Sequence, residues 1–234
     1  MKKALVVLSG GQDSTTCLFQ AKTQFSEVHA VTFNYGQRHN VEIEAAKKVA
    51  ELAQVASHTI IDVPEVLQST SPLVAETELE TYESFEQMDE IIGDRTELTF
   101  VPMRNAFFLT IAANLAVKLG ITNLVTGVCE QDNANYPDCR EAFVRAQEKA
   151  INAALGTKDF KIHTPLLFKT KAQSIELAQE LEGCIEALAY SHTCYAGEVP
   201  PCGKCHACVL RAKGFEEAGV PDPLLERLAN ETGE

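Results

Sequence analysis

The amino-acid sequence predicts an α/β protein: an open, parallel, five-stranded sheet flanked by helices, followed by a cysteine-rich C-terminal segment. Three observations predict it. Short apolar, β-branched runs alternate with stretches of helical periodicity, the order that lays helices over a parallel sheet. A chain of 234 residues, 45 % of them hydrophobic, can fill one large core with a small appendage. The last forty or so residues hold four closely spaced cysteines instead of further apolar runs.

The elements follow in order. The first strand is read at Ala4–Leu8, and the turn Ser9-Gly10-Gly11-Gln12-Asp13-Ser14 leads into a helix beginning near Asp13. A second strand spans Val28–Phe33. A helix over Val41–Ala53 places Val41, Ala45, Val49 and Leu52 on one face. The third strand is His58–Val63. From Pro64 to Thr99 no element is expected, because nine carboxylates and one arginine crowd the stretch from Glu76 to Glu97. So long a loop is either a solvated acidic insertion or a lid. A helix from about Asn105 to Leu119 is apolar almost all round and is expected to be buried. A strand at Asn123–Val128, a helix at Glu141–Leu155, a weaker strand at Lys161–Thr164 and a helix at Lys171–Leu181, stopped by Gly183, complete the pattern. Residues 1–185 form the expected main domain and 186–234 a C-terminal segment.

The formal net charge of −13 opposes a nucleic-acid partner, whose binding relies on Lys and Arg against phosphates, and favours small molecules. No apolar stretch reaches the length of a membrane span, and the start Met1-Lys2-Lys3 leads into a strand too short for a signal peptide. The expected location is cytoplasmic. In that compartment eight cysteines point to metal ligands or buried thiols rather than disulfides.

Cys194, Cys202, Cys205 and Cys208 are spaced x7, x2, x2. Two intervening residues let one turn deliver two sulfurs to one ion, and four thiolates close a tetrahedral zinc site without an open position, hence one structural zinc per chain. The C-x2-C-x2-C run lacks the x3-C-P continuation of a ferredoxin loop. His192 and His206 lie near enough to compete as ligands but are expected to support the cysteines or face solvent. Cys17 and Cys184 are read as small buried hydrophobes. Cys129 and Cys139 flank a polar loop and are weighed as nucleophiles.

The first turn supplies glycines for close backbone approach to an anion and a helix N-terminus behind them. It is no Walker A loop, since no lysine occurs between Lys3 and Lys22, and it lacks the G-x-G-x-x-G pattern. The hexapeptide resembles the SGGxDS loop of the PP-loop ATP pyrophosphatases. In an open α/β sheet the loops after the strands converge on the ligand, and three others join this one: Tyr35-Gly36-Gln37-Arg38-His39, Val101-Pro102 with Arg104-Asn105, and Thr126-Gly127-Val128 through Tyr136-Pro137-Asp138-Cys139-Arg140. With Cys208-Val-Leu-Arg-Ala they make nearly the whole chain similar to the QueC family of 7-cyano-7-deazaguanine synthases.

That resemblance implies an adenine nucleotide alpha hydrolase-like, Rossmann-like fold and an ATP-dependent ligase acting on 7-carboxy-7-deazaguanine and ammonia, with magnesium, as a homodimer. It implies that ATP is bound by Leu8, Ser9, Gly10, Gly11, Gln12, Asp13, Ser14, Thr15, Thr16, Cys17 and Leu18. Ser9, Asp13, Ser14 and Arg104 take the catalytic roles. Asp13 either caps the helix, the commoner role for Asp there, or orients magnesium. Arg38 and Arg104 suit a phosphate or the substrate carboxylate, or form plain salt bridges. Asp132 and Asp138 accept the guanine-like N–H edge or shape their loop. His39 shuttles a proton or is structural. Two rival readings are a PP-loop tRNA thiolase using Cys129 or Cys139 and a nucleotide sensor without turnover.

Overall fold

The computed structural model describes residues 2–37, 41–63, 66–131 and 134–232. Arg38, His39 and Asp132 therefore lie outside the described residues. Within them, β1 (Lys3–Val7), β2 (Glu27–Asn34), β3 (Ser57–Asp62), β4 (Asn123–Val125) and β5 (Lys161–His163) form one parallel sheet in the order β3-β2-β1-β4-β5. The expected fold is the observed one.

Strand alternation explains the layers. Ala4, Val6 and Leu8 point to one face, where they meet Cys17, Leu18, Ala46 and Val49. These come from α1 (Gln12–Gln24) and α2 (Val41–Leu52). Leu5 points to the other face, with Val31, Leu124 and Ile162, beneath α4 (Arg104–Lys118) and α5 (Glu141–Leu155). Because β1 is central, both its faces are buried, and the run reads as continuously apolar. The strand order reverses between β1 and β4, and at such a switch point the loops part to leave a crevice.

Several expectations are corrected. The helix at 105–119 is buried along one face only: Leu109, Ala112 and Ala116 are covered, while Val117 is 48 % exposed. β4 pairs regularly for three residues instead of six, because Gly127 runs against α1. A Cβ there would sit 3.0 Å from the Ser14 nitrogen and 3.1 Å from the Asp13 carbonyl carbon. The acidic stretch contains a helix, α3 (Phe85–Ile92), capped by Ser84, whose side chain accepts the Gln87 N–H at 3.2 Å. It is no free-standing insertion. Tyr82, Met88 and Ile92 pack on Val209 and Leu210, and Glu97 is buried, accepting from Thr99 N–H (2.7 Å) and the Tyr136 hydroxyl (3.2 Å).

The C-terminal half of the main layer holds α6 (Lys171–Glu180), whose capping box pairs Thr170 with Gln173, and α7 (Cys184–Leu188). Gly183 lies in the left-handed region (φ +75°) and is the residue from which α7 starts, two positions beyond the end cap of α6. Beyond it, α8 (His206–Glu217) and α9 (Pro223–Thr232) were not anticipated. Gly214 lets α8 lie directly on α6, since a Cβ would fall 2.7 Å from the Lys171 Cβ. Arg211 on α8 is buried and grips Asp222 through two bonds of 2.6 and 2.8 Å, while also donating to Ser191 Oγ at 2.9 Å. Cys17 and Cys184 are fully buried, as read from their contexts. Among the described residues no helix is long and apolar enough to cross a membrane.

Candidate active site

A cavity of about 280 Å³ opens at the C-terminal ends of β1, β2 and β4. Its floor is the first loop. Leu8, Ser9, Gly11, Gln12, Asp13 and Ser14 line it. Gly10, at φ +90°, turns the chain so tightly onto α2 that a Cβ would strike the Glu42 carbonyl oxygen and stand 2.7 Å from the Ala46 nitrogen. The loop is braced internally: Ser14 Oγ lies 3.0 Å from Ser9 Oγ, accepts the Ser9 N–H at 3.2 Å and donates to the Gly11 carbonyl at 3.1 Å. It is braced externally where the His192 N–H donates to the Gly10 carbonyl at 2.8 Å.

Thr15, Thr16, Cys17 and Leu18 are buried within α1 and do not line the cavity; Thr15 and Thr16 hydroxyls bond back to the carbonyls of Gly11 and Gln12. Asp13 does not cap its helix. The cap position is Gly11, without a side-chain cap bond, and the Asp13 carboxylate turns instead to Lys171 Nζ at 2.5 Å. A lysine from the start of α6 thus stands at the loop that has none of its own. No local pattern announces this pairing, because the two residues are 158 positions apart.

Arg104 lines the opposite wall and donates to the Tyr35 hydroxyl at 3.5 Å. Burial works against its charge, but Tyr35, Tyr136, Tyr195 and Asp138 around it outweigh burial and hold the guanidinium firmly protonated. Asp138 itself is not among the cavity-lining residues. Its Oδ2 accepts the Asn105 N–H at 3.1 Å, serving the exposed donors at the start of α4. Cys139 lines the cavity beside Asn105, whose Nδ2 is 3.5 Å from its sulfur; Cys129 is buried with its thiol donating to the Lys169 carbonyl at 3.2 Å.

Further cavity residues were given no role by the sequence reading: Glu42 at the first turn of α2, Lys171, Thr193 and Tyr195; Glu130 and Arg140 come from the expected fourth loop, and His192 and Cys194 from the cysteine segment. Orphaned polar atoms also face this region. Gln12 Nε2, His192 Nε2 and both ring nitrogens of His206 are buried without a hydrogen-bond partner among the described residues. Buried polar atoms rarely go unmatched, so the cavity suits a ligand rich in acceptors and donors, as a nucleotide is. The two histidines are buried, not solvated.

The four cysteines come together as expected. Their sulfurs lie within 4.8 Å of one another, and Cys202 and Cys208 are 3.9 Å apart. A regular tetrahedron with Zn–S bonds of ~2.3 Å has sulfurs about 3.8 Å apart. Backbone N–H groups of Tyr195, Cys202 and Cys205 point at cluster sulfurs at 3.4 Å, which stabilises thiolates. The cluster is compatible with zinc. Cys194 belongs to both cluster and cavity wall, so the cysteine-rich segment closes one side of the cavity.

A serine- and glycine-rich loop at the switch point of a parallel sheet, engaged by a lysine through Asp13 and sharing its cavity with an arginine, marks an α/β protein of the PP-loop fold. A solved 4-thiouridine synthetase–RNA complex with bound ATP shares the fold at a TM-score of 0.51 and 16 % identity, covering 98 % of this chain and 53 % of that one. The model of the family described as queuosine biosynthesis protein QueC matches residues 3–219, and the chain belongs to that family. Two curated relatives named 7-cyano-7-deazaguanine synthase are similar over almost their full length. That of Laribacter hongkongensis is 51 % identical over 97 % of this chain and 95 % of its own, and that of Gloeobacter violaceus is 49 % identical over 96 % of each.

Proposed function

We propose that this chain converts 7-carboxy-7-deazaguanine and ammonia into 7-cyano-7-deazaguanine, spending ATP to activate first the carboxylate and then the amide oxygen as adenylates. The observation that carries the reading is one cavity lined jointly by the phosphate loop, Lys171 and Arg104, in a chain 51 % identical to a protein of that name.

The chemistry asks for what the cavity offers. A carboxylate is a poor electrophile because its leaving group would be oxide; transferring AMP to its oxygen makes AMP the leaving group. Such a transfer needs fixed donors around the α-phosphate and the departing pyrophosphate more than it needs an acid–base pair. Ser9, Gly10, Gly11 and Ser14, with the N-terminus of α1, surround the pyrophosphate in this reading. Lys171 supplies the positive charge that a Walker lysine supplies elsewhere. Arg104, held protonated, pairs with the carboxylate or the α-phosphate through its planar fork. Arg38, His39 and Asp132 are assigned to the substrate, while Asp138 shapes the loop that carries Tyr136. Asp13 is the donor for magnesium, which would share that carboxylate with Lys171 and neutralise phosphate charge. Cys194, Cys202, Cys205 and Cys208 hold a structural zinc that orders residues 186–234 against the main domain, 1–185. The formal charge of −13 supports small molecules over nucleic acid as substrate. The cytoplasm and a homodimer are part of the same proposal.

The test is purified protein with ATP, magnesium, ammonium and 7-carboxy-7-deazaguanine, analysed by mass spectrometry. The nitrile with AMP and pyrophosphate is the expected outcome. ADP formation without AMP, or no nitrile, would overturn the reading.

A further inference from the structure

Forming an amide from ammonia, and a nitrile from an amide, requires a group that takes protons from nitrogen, and the candidate named above for it, His39, lies outside the described residues. The carboxylates at the cavity differ in how they are engaged. Asp13 is held by Lys171 at 2.5 Å. Glu130 accepts the Glu141 N–H at 2.9 Å and lies 3.8 Å from Arg140. Glu42 lines the cavity, yet its carboxylate has no hydrogen bond or ion pair within 4 Å among the described residues.

Its position ties it to the phosphate loop. Glu42 is the second residue of α2, and its carbonyl oxygen is the backbone atom against which Gly10 is turned. Arg104 from α4, His192 and Cys194 from the segment after α7, and Tyr35 from the end of β2 line the same cavity. A carboxylate at the cavity wall that no group among the described residues engages is placed to accept a proton from a bound nitrogen.

We propose that Glu42 is the general base that accepts the proton shed by the ammonia-derived nitrogen. The inference rests on the adenylate reading given above. In the first step the nitrogen lone pair forms the C–N bond and the C–O bond to AMP breaks. Its electron pair leaves on the AMP phosphate oxygen, and one N–H proton passes to a Glu42 oxygen. In the second, the adenylated amide loses an N–H proton to the same oxygen as the C–N triple bond forms and AMP departs.

Hydroxylamine is largely unprotonated at neutral pH and depends less on a base, so it separates proton removal from positioning. The experiment measures amide formation from ammonium and hydroxamate formation from hydroxylamine, by mass spectrometry, on the same preparations of wild type, Glu42→Gln and Glu42→Asp. Each rate comparison is internal to one preparation, so the folded fraction cancels. The ammonium-to-hydroxylamine ratio should fall about 10²-fold in Glu42→Gln and recover in Glu42→Asp to within about tenfold of wild type. A ratio unchanged in Glu42→Gln, whether both rates fall together or neither falls, would overturn the assignment. Carboxylate-dependent exchange of labelled pyrophosphate into ATP is run on the wild type alongside. Its absence would remove the adenylate reading itself, and the inference with it.

Discussion

Replacing Gly10 by alanine tests how the Ser9–Ser14 loop is held. The substitution meets two obstacles. At φ +90° an alanine adopts a backbone that L-residues disfavour, costing about 1–2 kcal/mol. Its Cβ would also collide with two backbone atoms of α2, the Glu42 carbonyl oxygen and the Ala46 nitrogen, the latter at 2.7 Å. Backbone inside a helix cannot rotate aside as a flexible side chain can, so overpacking adds about 1–3 kcal/mol. The sum is about 2–5 kcal/mol, which lowers the melting temperature by roughly 4–20 °C at about 2–4 °C per kcal/mol for a chain of this size. Gly120→Ala is the matched control. Gly120 has φ +69°, but nothing lies within 4 Å of its added Cβ, so only the first cost applies. Calorimetric melts of the two variants should therefore differ by the steric part. Equal melting temperatures would refute the argument that Gly10 is needed for close approach to α2.

The zinc assignment predicts that Cys205→Ser loses metal and either becomes insoluble or fails to order the chain after about residue 190; full zinc content with normal melting would contradict it. Asp222→Ala strands the buried Arg211 without its bidentate partner and should cost about 3–5 kcal/mol in urea unfolding, whereas a loss under about 1 kcal/mol would show the pair to be incidental. Lys171→Met should weaken ATP binding about tenfold or more in titration calorimetry, as loss of a charged hydrogen bond does; unaltered affinity would remove Lys171 from the phosphate site.

The strands were legible because a buried parallel strand is a plain apolar run, and the order of the loops after them exposed the site. Where β4 stops was not legible. Thr126 to Val128 still reads as strand, and only the packing of Gly127 on Ser14 ends it. The helix at Phe85–Ile92 was present in the periodicity of Phe85, Met88 and Ile92, but acidic composition hid it, because the apolar partners Val209 and Leu210 are far along the chain. The capping alternative for Asp13 failed for the same kind of reason. Helix position suggests a cap, while tertiary contact with Lys171 determines where the carboxylate goes. Glu42 and Lys171 carry no local motif; each enters the cavity only through the packing of its helix. The cysteines were readable because a metal site written at x2 spacing is a local geometric statement.

The central claim is that ATP is cut at the α-phosphate and AMP is placed on a substrate oxygen. Substrate labelled with ¹⁸O in the carboxylate, taken to nitrile with excess ammonium, tests it directly by mass spectrometry of the nucleotide. The label should appear in AMP, with pyrophosphate unlabelled. Label in inorganic phosphate accompanied by ADP would contradict the claim.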